Sequence, residues 1–135
     1  MPEQIENLTT QAESNVKDFS VFENFAAISR NAANFPDLLS LMVHRLAAAR
    51  LRENPRLIEK AKANLQRWLS QTPGVGAWLE WKKILESESL ETILKIITAE
   101  TDEGQRLRSS SPFAGLITPE EWRRTIKICA KAKPF

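Results

Sequence analysis

The chain reads as an all-α protein, a compact bundle of about five to six helices behind a mobile N-terminal tail, on three observations. Every long apolar set repeats at three or four residues and none at two. Helix-start chemistry recurs along the chain, at Asn54-Pro55, at Ser87 to Ser89 and at Thr118-Pro119-Glu120-Glu121. A length of 135 residues, 42% apolar and 27% charged, describes one ordinary globular domain. Such a chain buries roughly two-thirds of its unfolded surface, so a core forms without disulfides or metals.

Residues 1–13 carry little apolar periodicity and are expected to be a mobile tail, with residues 14–135 as a single domain. Phe19, Phe22 and Phe25 are spaced as a helix over 16–33, and Ser20 with Glu23 makes a capping box. This stretch, 16–34, is expected either to dock as an arm or to complete the core. Phe35-Pro36-Asp37 interrupts it, because the residue before a proline is pushed out of helical dihedrals.

A helix is expected from about Asp37 to Glu53, with Leu39, Met42, Leu46 and Ala49 on one face and Leu38 and Leu41 widening it. A stripe that wide implies burial on more than one side. Asn54 is expected to cap the next helix with Pro55 at its first position, and that helix runs to about Ser70. Its inner stripe is Ile58, Ala61, Leu65, Trp68 and Thr72, with Arg56, Lys60 and Arg67 on another face. Thr72-Pro73-Gly74 is a turn, and Gly76 to Glu86 a short helix with Trp78, Trp81 and Leu85 inward. Leu90, Ile93, Leu94 and Ile97 form the sharpest apolar stripe of the chain. Asp102 to Arg108 is expected to be one further helical turn, interrupted by Gly104. The last helix starts with Thr118 as cap, Pro119 at its first position and Glu121 reaching back to the cap amide; Trp122, Ile126 and Cys129 are its expected inner face.

Composition excludes several function classes. The single cysteine, Cys129, rules out a disulfide within the chain, and with the single histidine, His44, it cannot supply four zinc ligands. No metal or other cofactor is expected. The four glycines (74, 76, 104 and 115) are too scattered for a phosphate-cradling loop. The doublets Asp102-Glu103 and Glu120-Glu121 sit where helix starts favour negative charge, and read as capping acids rather than a catalytic pair. His44 has Ser40 four residues before it but no third group to orient it, so it reads as a packing or surface histidine, and no enzyme is expected. No stretch of 18 apolar residues and no signal-peptide pattern is present, which predicts a cytoplasmic protein without a membrane partner.

The net charge of +2 is unevenly spread. From His44 to Arg67 the chain carries Arg45, Arg50, Arg52, Arg56, Lys60, Lys62 and Arg67 against Glu53 and Glu59. Solvated helix faces account for these charges most simply. The alternative is a nucleic-acid face formed by Arg45, Arg52, Arg56, Lys60 and Arg67 in a helical regulator, which also allows a homodimer.

The segment from Ser109 to Thr118 stands apart. Phe113, Leu116 and Ile117 are large apolar residues among Ser, Pro and Gly, with Arg106 and Arg108 just upstream. Such a loop either folds back to close the core or presents an anchor to a partner.

Gly104-Gln105-Arg106-Leu107-Arg108-Ser109-Ser110-Ser111-Pro112-Phe113-Ala114-Gly115-Leu116-Ile117-Thr118-Pro119-Glu120-Glu121, together with Val43-His44-Arg45-Leu46-Ala47 and Ala61-Lys62-Ala63-Asn64-Leu65-Gln66-Arg67-Trp68, resembles a widespread group of small bacterial helical proteins. Members end in an arginine-rich turn, a Ser-Pro-Phe-Ala-Gly loop and a Thr-or-Ser-Pro-Glu-Glu helix start. The resemblance spans residues 43–122 and leaves out 1–36. It implies an antitoxin-like small partner from a two-gene bacterial module, a non-catalytic protein that binds and neutralises a cognate protein. The partner-binding residues it implies are Arg106, Arg108, Ser110, Ser111, Pro112, Phe113 and Trp122, with Phe113 as the apolar anchor and the arginines pairing with acids of the partner.

Overall fold

The computed structural model describes residues 35–132, and the helix expected over 16–33 lies outside them. Among the described residues there are six α-helices, two 3-10 turns and no strand. They are α1 (Phe35–Glu53), α2 (Ile58–Gln71), α3 (Gly76–Ser87), α4 (Leu90–Ile97), α5 (Asp102–Arg108) and α6 (Pro119–Ala132). The 3-10 turns, Pro55–Leu57 and Ala114–Leu116, lead into α2 and close the loop before α6. No helix among these residues is long and apolar enough to cross a membrane.

The fold is organised around α1. Its burial runs nearly all round the cylinder, through Leu38, Leu41, Met42, Val43, Leu46, Ala47, Ala48 and Leu51, while Leu39 and Ala49 stay partly exposed. A helix buried on every side must have neighbours on every side. α4, α5, α6 and the Ala114–Leu116 turn all pack on α1. The start of α1 precedes the expected Asp37: Pro36 falls in the first turn, where its missing N–H leaves nothing unsatisfied.

At the α1–α2 junction Asn54 does not cap with its side chain. Its backbone carbonyl accepts the Leu57 N–H at 3.1 Å instead, tightening the chain into the 3-10 turn before α2 opens at Ile58. α2 then returns beside α3. Gly74, at φ 87°, makes the turn between them in a conformation that side chains resist. Trp68 and Trp78 lock the pair, with ring centroids 5.6 Å apart.

α4 and α5 open on side-chain caps, of which Ser89 is expected and Thr101 is not. The Thr92 N–H donates to Ser89 Oγ at 3.2 Å to start α4, and the Gly104 N–H donates to Thr101 Oγ1 at 3.0 Å to start α5. Gly104 does not interrupt α5. It is buried inside the helix, and a Cβ there would lie 2.4 Å from the Ala99 carbonyl oxygen, so the glycine lets two backbones touch. At α6 the Thr118–Glu121 box closes as expected: the Glu121 N–H donates to Thr118 Oγ1 at 3.2 Å and the Thr118 N–H to Glu121 Oε1 at 2.9 Å. The inner face of α6 is rotated from the expected one. Glu121, Thr125 and Cys129 are buried, whereas Ile126 is 41% exposed. Spacing of four carries the buried row, and Ile126 falls off it.

Candidate functional site

The sequence-implied partner residues converge on the junction between α1, α5 and the Ser109–Thr118 loop, but mostly from inside. Phe113, which the resemblance implies as an anchor and which the loop's composition equally allows to close the core, is 0% exposed; its ring stands edge-on to Trp81 with centroids 5.5 Å apart. Pro112 and Ser111 are buried beside it, Ser110 is half-buried, and Trp122 packs half-buried against the same core. The reason is the core's own deficit. Trp81 sits where α3 faces α5, its indole N–H donates to the Leu107 carbonyl at 2.8 Å, and Phe113 supplies the apolar wall that this ring needs.

Buried polar side chains then tie the loop to α1 and to the start of α6. His44 is 3% exposed. Its Nδ1 lies 2.6 Å from the Ser40 carbonyl, which only accepts, so Nδ1 carries the proton and Nε2 accepts the Ser111 hydroxyl at 2.6 Å. Burial pushes the His44 imidazole down to about 4, opposed by the Ser40 bond and aided by the nearby Arg108 charge. The Ser111 oxygen in turn accepts the Phe113 N–H at 3.1 Å. A serine hydroxyl directed at an oriented imidazole is the geometry of nucleophile activation, but here both groups are packed under Pro112 and Phe113. The pair acts as a clamp between α1 and the loop.

Arg50 was expected among the solvated cations of the basic stretch. It is buried instead, donating to the Leu116 carbonyl at 3.0 Å and to Glu121 Oε2 at 2.5 Å. One guanidinium thus holds α1, the second 3-10 turn and α6 together, and Glu121 serves as both cap and counter-ion. Arg108, expected to reach a partner's acids, is 5% exposed. Its Nη1 donates to the Ala99 carbonyl at 2.6 Å and more weakly to that of Ile97 at 3.4 Å. Burial lowers its affinity for its proton, and the fields of Glu100 and Asp37 work against that.

Arg106 alone of the implied arginines stays on the surface. It takes Glu80 in a two-point grip, at 2.9 and 2.8 Å, and Glu103 through Nε at 3.0 Å and through Nη2. These bonds hold the Glu80 and Glu103 carboxyls below the usual carboxylate range. Arg106 also lines an open groove of about 540 Å³ between the start of α1 and α5, with Pro36, Asp37 and Ser40 on one side and Asp102, Gln105 and Ser109 on the other. A second groove, of about 440 Å³, lies between α2 and α3, with Leu65, Leu69 and Leu85 under a charged rim that includes Lys62 and Lys82. Neither groove is lined by His44 or Ser111.

The alternative basic set separates differently. Arg52, Arg56, Lys60 and Arg67 are exposed, whereas Arg45 is half-buried in the fields of Glu100 and Arg52. Sequence reasoning missed the His44–Ser111 and Arg50–Glu121 pairs because their members are 67 and 71 residues apart. The one local signal was Ser40, a turn before His44, whose carbonyl fixes the ring. No family model, curated protein or solved structure matches this chain.

Proposed function

We infer that this chain is a non-catalytic protein-binding module, the antitoxin-like small partner of a bacterial two-gene pair. The resemblance motivates the reading. The observation that carries it is the open groove beside Arg106, where an arginine, two aspartates, a glutamine and two serines face solvent in a preformed frame. Such a surface offers donors and acceptors to a polar protein segment at little ordering cost. Phe113, Ser111 and Arg108 hold the frame from below, so their part in binding is indirect. Arg106 and Ser109 are the contact residues, joined by Gln105 and Asp102 of the same helix.

The test is co-expression with the product of the adjacent gene. A stoichiometric complex is expected, weakened at least about tenfold by Arg106→Ala combined with Gln105→Ala and left intact by Lys131→Ala on the exposed part of α6. Absence of a complex, or one indifferent to the groove pair, contradicts the reading.

A further inference from the structure

The face of α2 and the turn before it carry exposed cations that have no acid partner among the described residues. Lys60 and Arg67 are seven residues apart, two turns and about 10 Å along α2 at 1.5 Å per residue, and Arg56 precedes them in the 3-10 turn that leads into the helix. All three are exposed, and so is Arg52, at the end of α1 on the other side of the junction. Elsewhere the surface arginines are matched with acids: Arg106 with Glu80 and Glu103, Arg123 and Arg124 with Glu120. Among the described residues Arg52, Arg56, Lys60 and Arg67 form no ion pair; Arg67 donates to the neutral amide oxygen of Asn64 at 2.9 Å. The acid nearest in sequence on α2, Glu59, pairs with Lys62 at 3.6 Å.

Exposed cations held near one another without acids repel, and an anion that meets them relieves that cost. The residues between them narrow the choice of anion. Ala63 and Ser70, exposed on the same face, are small, so a broad surface can approach closely. The tryptophans of α2 and α3 are turned toward each other rather than outward, leaving this face no aromatic platform on which unpaired bases would stack. Of the amides along this stretch, Asn64 is occupied by Arg67.

We propose that Arg52, Arg56, Lys60 and Arg67 form a surface that binds the phosphate backbone of duplex DNA without reading its sequence. The surface lies on α2 and the end of α1, apart from the groove beside Arg106, and does not depend on the partner assigned to that groove.

The experiment is fluorescence anisotropy of a labelled 20-base-pair duplex of arbitrary sequence, titrated with the full chain between 50 and 200 mM salt. With about four phosphates neutralised, affinity is expected to fall roughly a hundredfold across that range. The triple variant Arg56→Gln/Lys60→Gln/Arg67→Gln, whose side chains are all exposed, is expected to lose most of the binding and to show a log-log salt slope shallower by about three. The control Lys95→Gln/Lys127→Gln/Lys131→Gln removes the same charge from α4 and α6 and is expected to bind as wild type. No binding at 50 mM salt, or equal losses in both triple variants, overturns the proposal. Equal competition by single-stranded DNA overturns the duplex assignment, and displacement by polyglutamate at matched charge reassigns the face to an acidic protein.

Discussion

His44 is neutral in the fold because its ring has no water to solvate a charge, and that makes stability depend on pH in a definite direction. Its pKa falls from 6.5 unfolded to about 4 folded. Above pH 6.5 neither state is charged, and the full stability is present. As pH falls from 6.5 toward 4 the unfolded chain takes up a proton that the folded chain refuses, so stability declines across that window by up to about 3 kcal/mol and then levels off. Urea unfolding at pH 7, 5.5 and 4 measures it, with His44→Gln as reference: the difference between wild type and variant should shrink as pH drops. A constant difference would mean that the ring titrates normally. The Arg50–Glu121 pair makes a second prediction at this scale. Glu121→Gln strands a buried guanidinium and removes part of the α6 cap, with an expected loss of about 3–5 kcal/mol in urea unfolding, whereas Arg50→Met/Glu121→Gln together should recover part of it. The capping role of Glu121 was legible in Thr-Pro-Glu-Glu. Its ion pair was not, because nothing local distinguishes Arg50 from the exposed arginines around it.

At the scale of elements, periodicity located the helices and erred where contacts outside the helix decide. α4 is short but four of its five apolar residues fall on one stripe, and three of those four are buried as expected. α6 has three such cues, yet its buried row follows Glu121, Thr125 and Cys129, since a capping glutamate that pairs with Arg50 fixes the rotation of the helix and leaves Ile126 outside. Cys129, expected as an apolar residue, lies with Leu38 and Met42 in a small cluster, and burial pushes its thiol up to about 11. It should resist thiol reagents until the chain unfolds. Gly104 was misread for a related reason: helix propensity counts against glycine, but the approach of the Ala99 carbonyl requires it. Gly104→Ala, which gains intrinsic helix propensity, is therefore expected to lower the melting temperature, with a loss of about 1–3 kcal/mol from overpacking. A rise in melting temperature would show that α5 and Ala99 are less closely apposed.

For the whole molecule, the sequence located the region that matters but not which way it faces. The Ser109–Thr118 segment is set apart by composition, and both a core-closing and a partner-anchoring role fit a run of Ser, Pro, Phe and Gly. Only the distant Trp81, Arg50 and His44 decide between them, and each draws the loop inward. What remains on the surface is less conspicuous in composition, the groove beside Arg106 and the exposed cations of α2 and the turn before it, and these are the surfaces proposed for recognition. The division has a practical consequence: Phe113→Ala should weaken partner binding by loosening the frame, whereas Arg106→Ala, which loses only exposed ion pairs, should cost no more than about 1 kcal/mol and report mainly on the contact itself. The central claim is that the loop is part of the core, and the most direct measurement is urea unfolding of Phe113→Ala against wild type. Removal of a fully buried ring packed on Trp81 predicts a loss of about 3–5 kcal/mol with the helical spectrum otherwise native below the transition. A loss under about 0.5 kcal/mol, the range of an exposed side chain, would contradict it and return Phe113 to the surface.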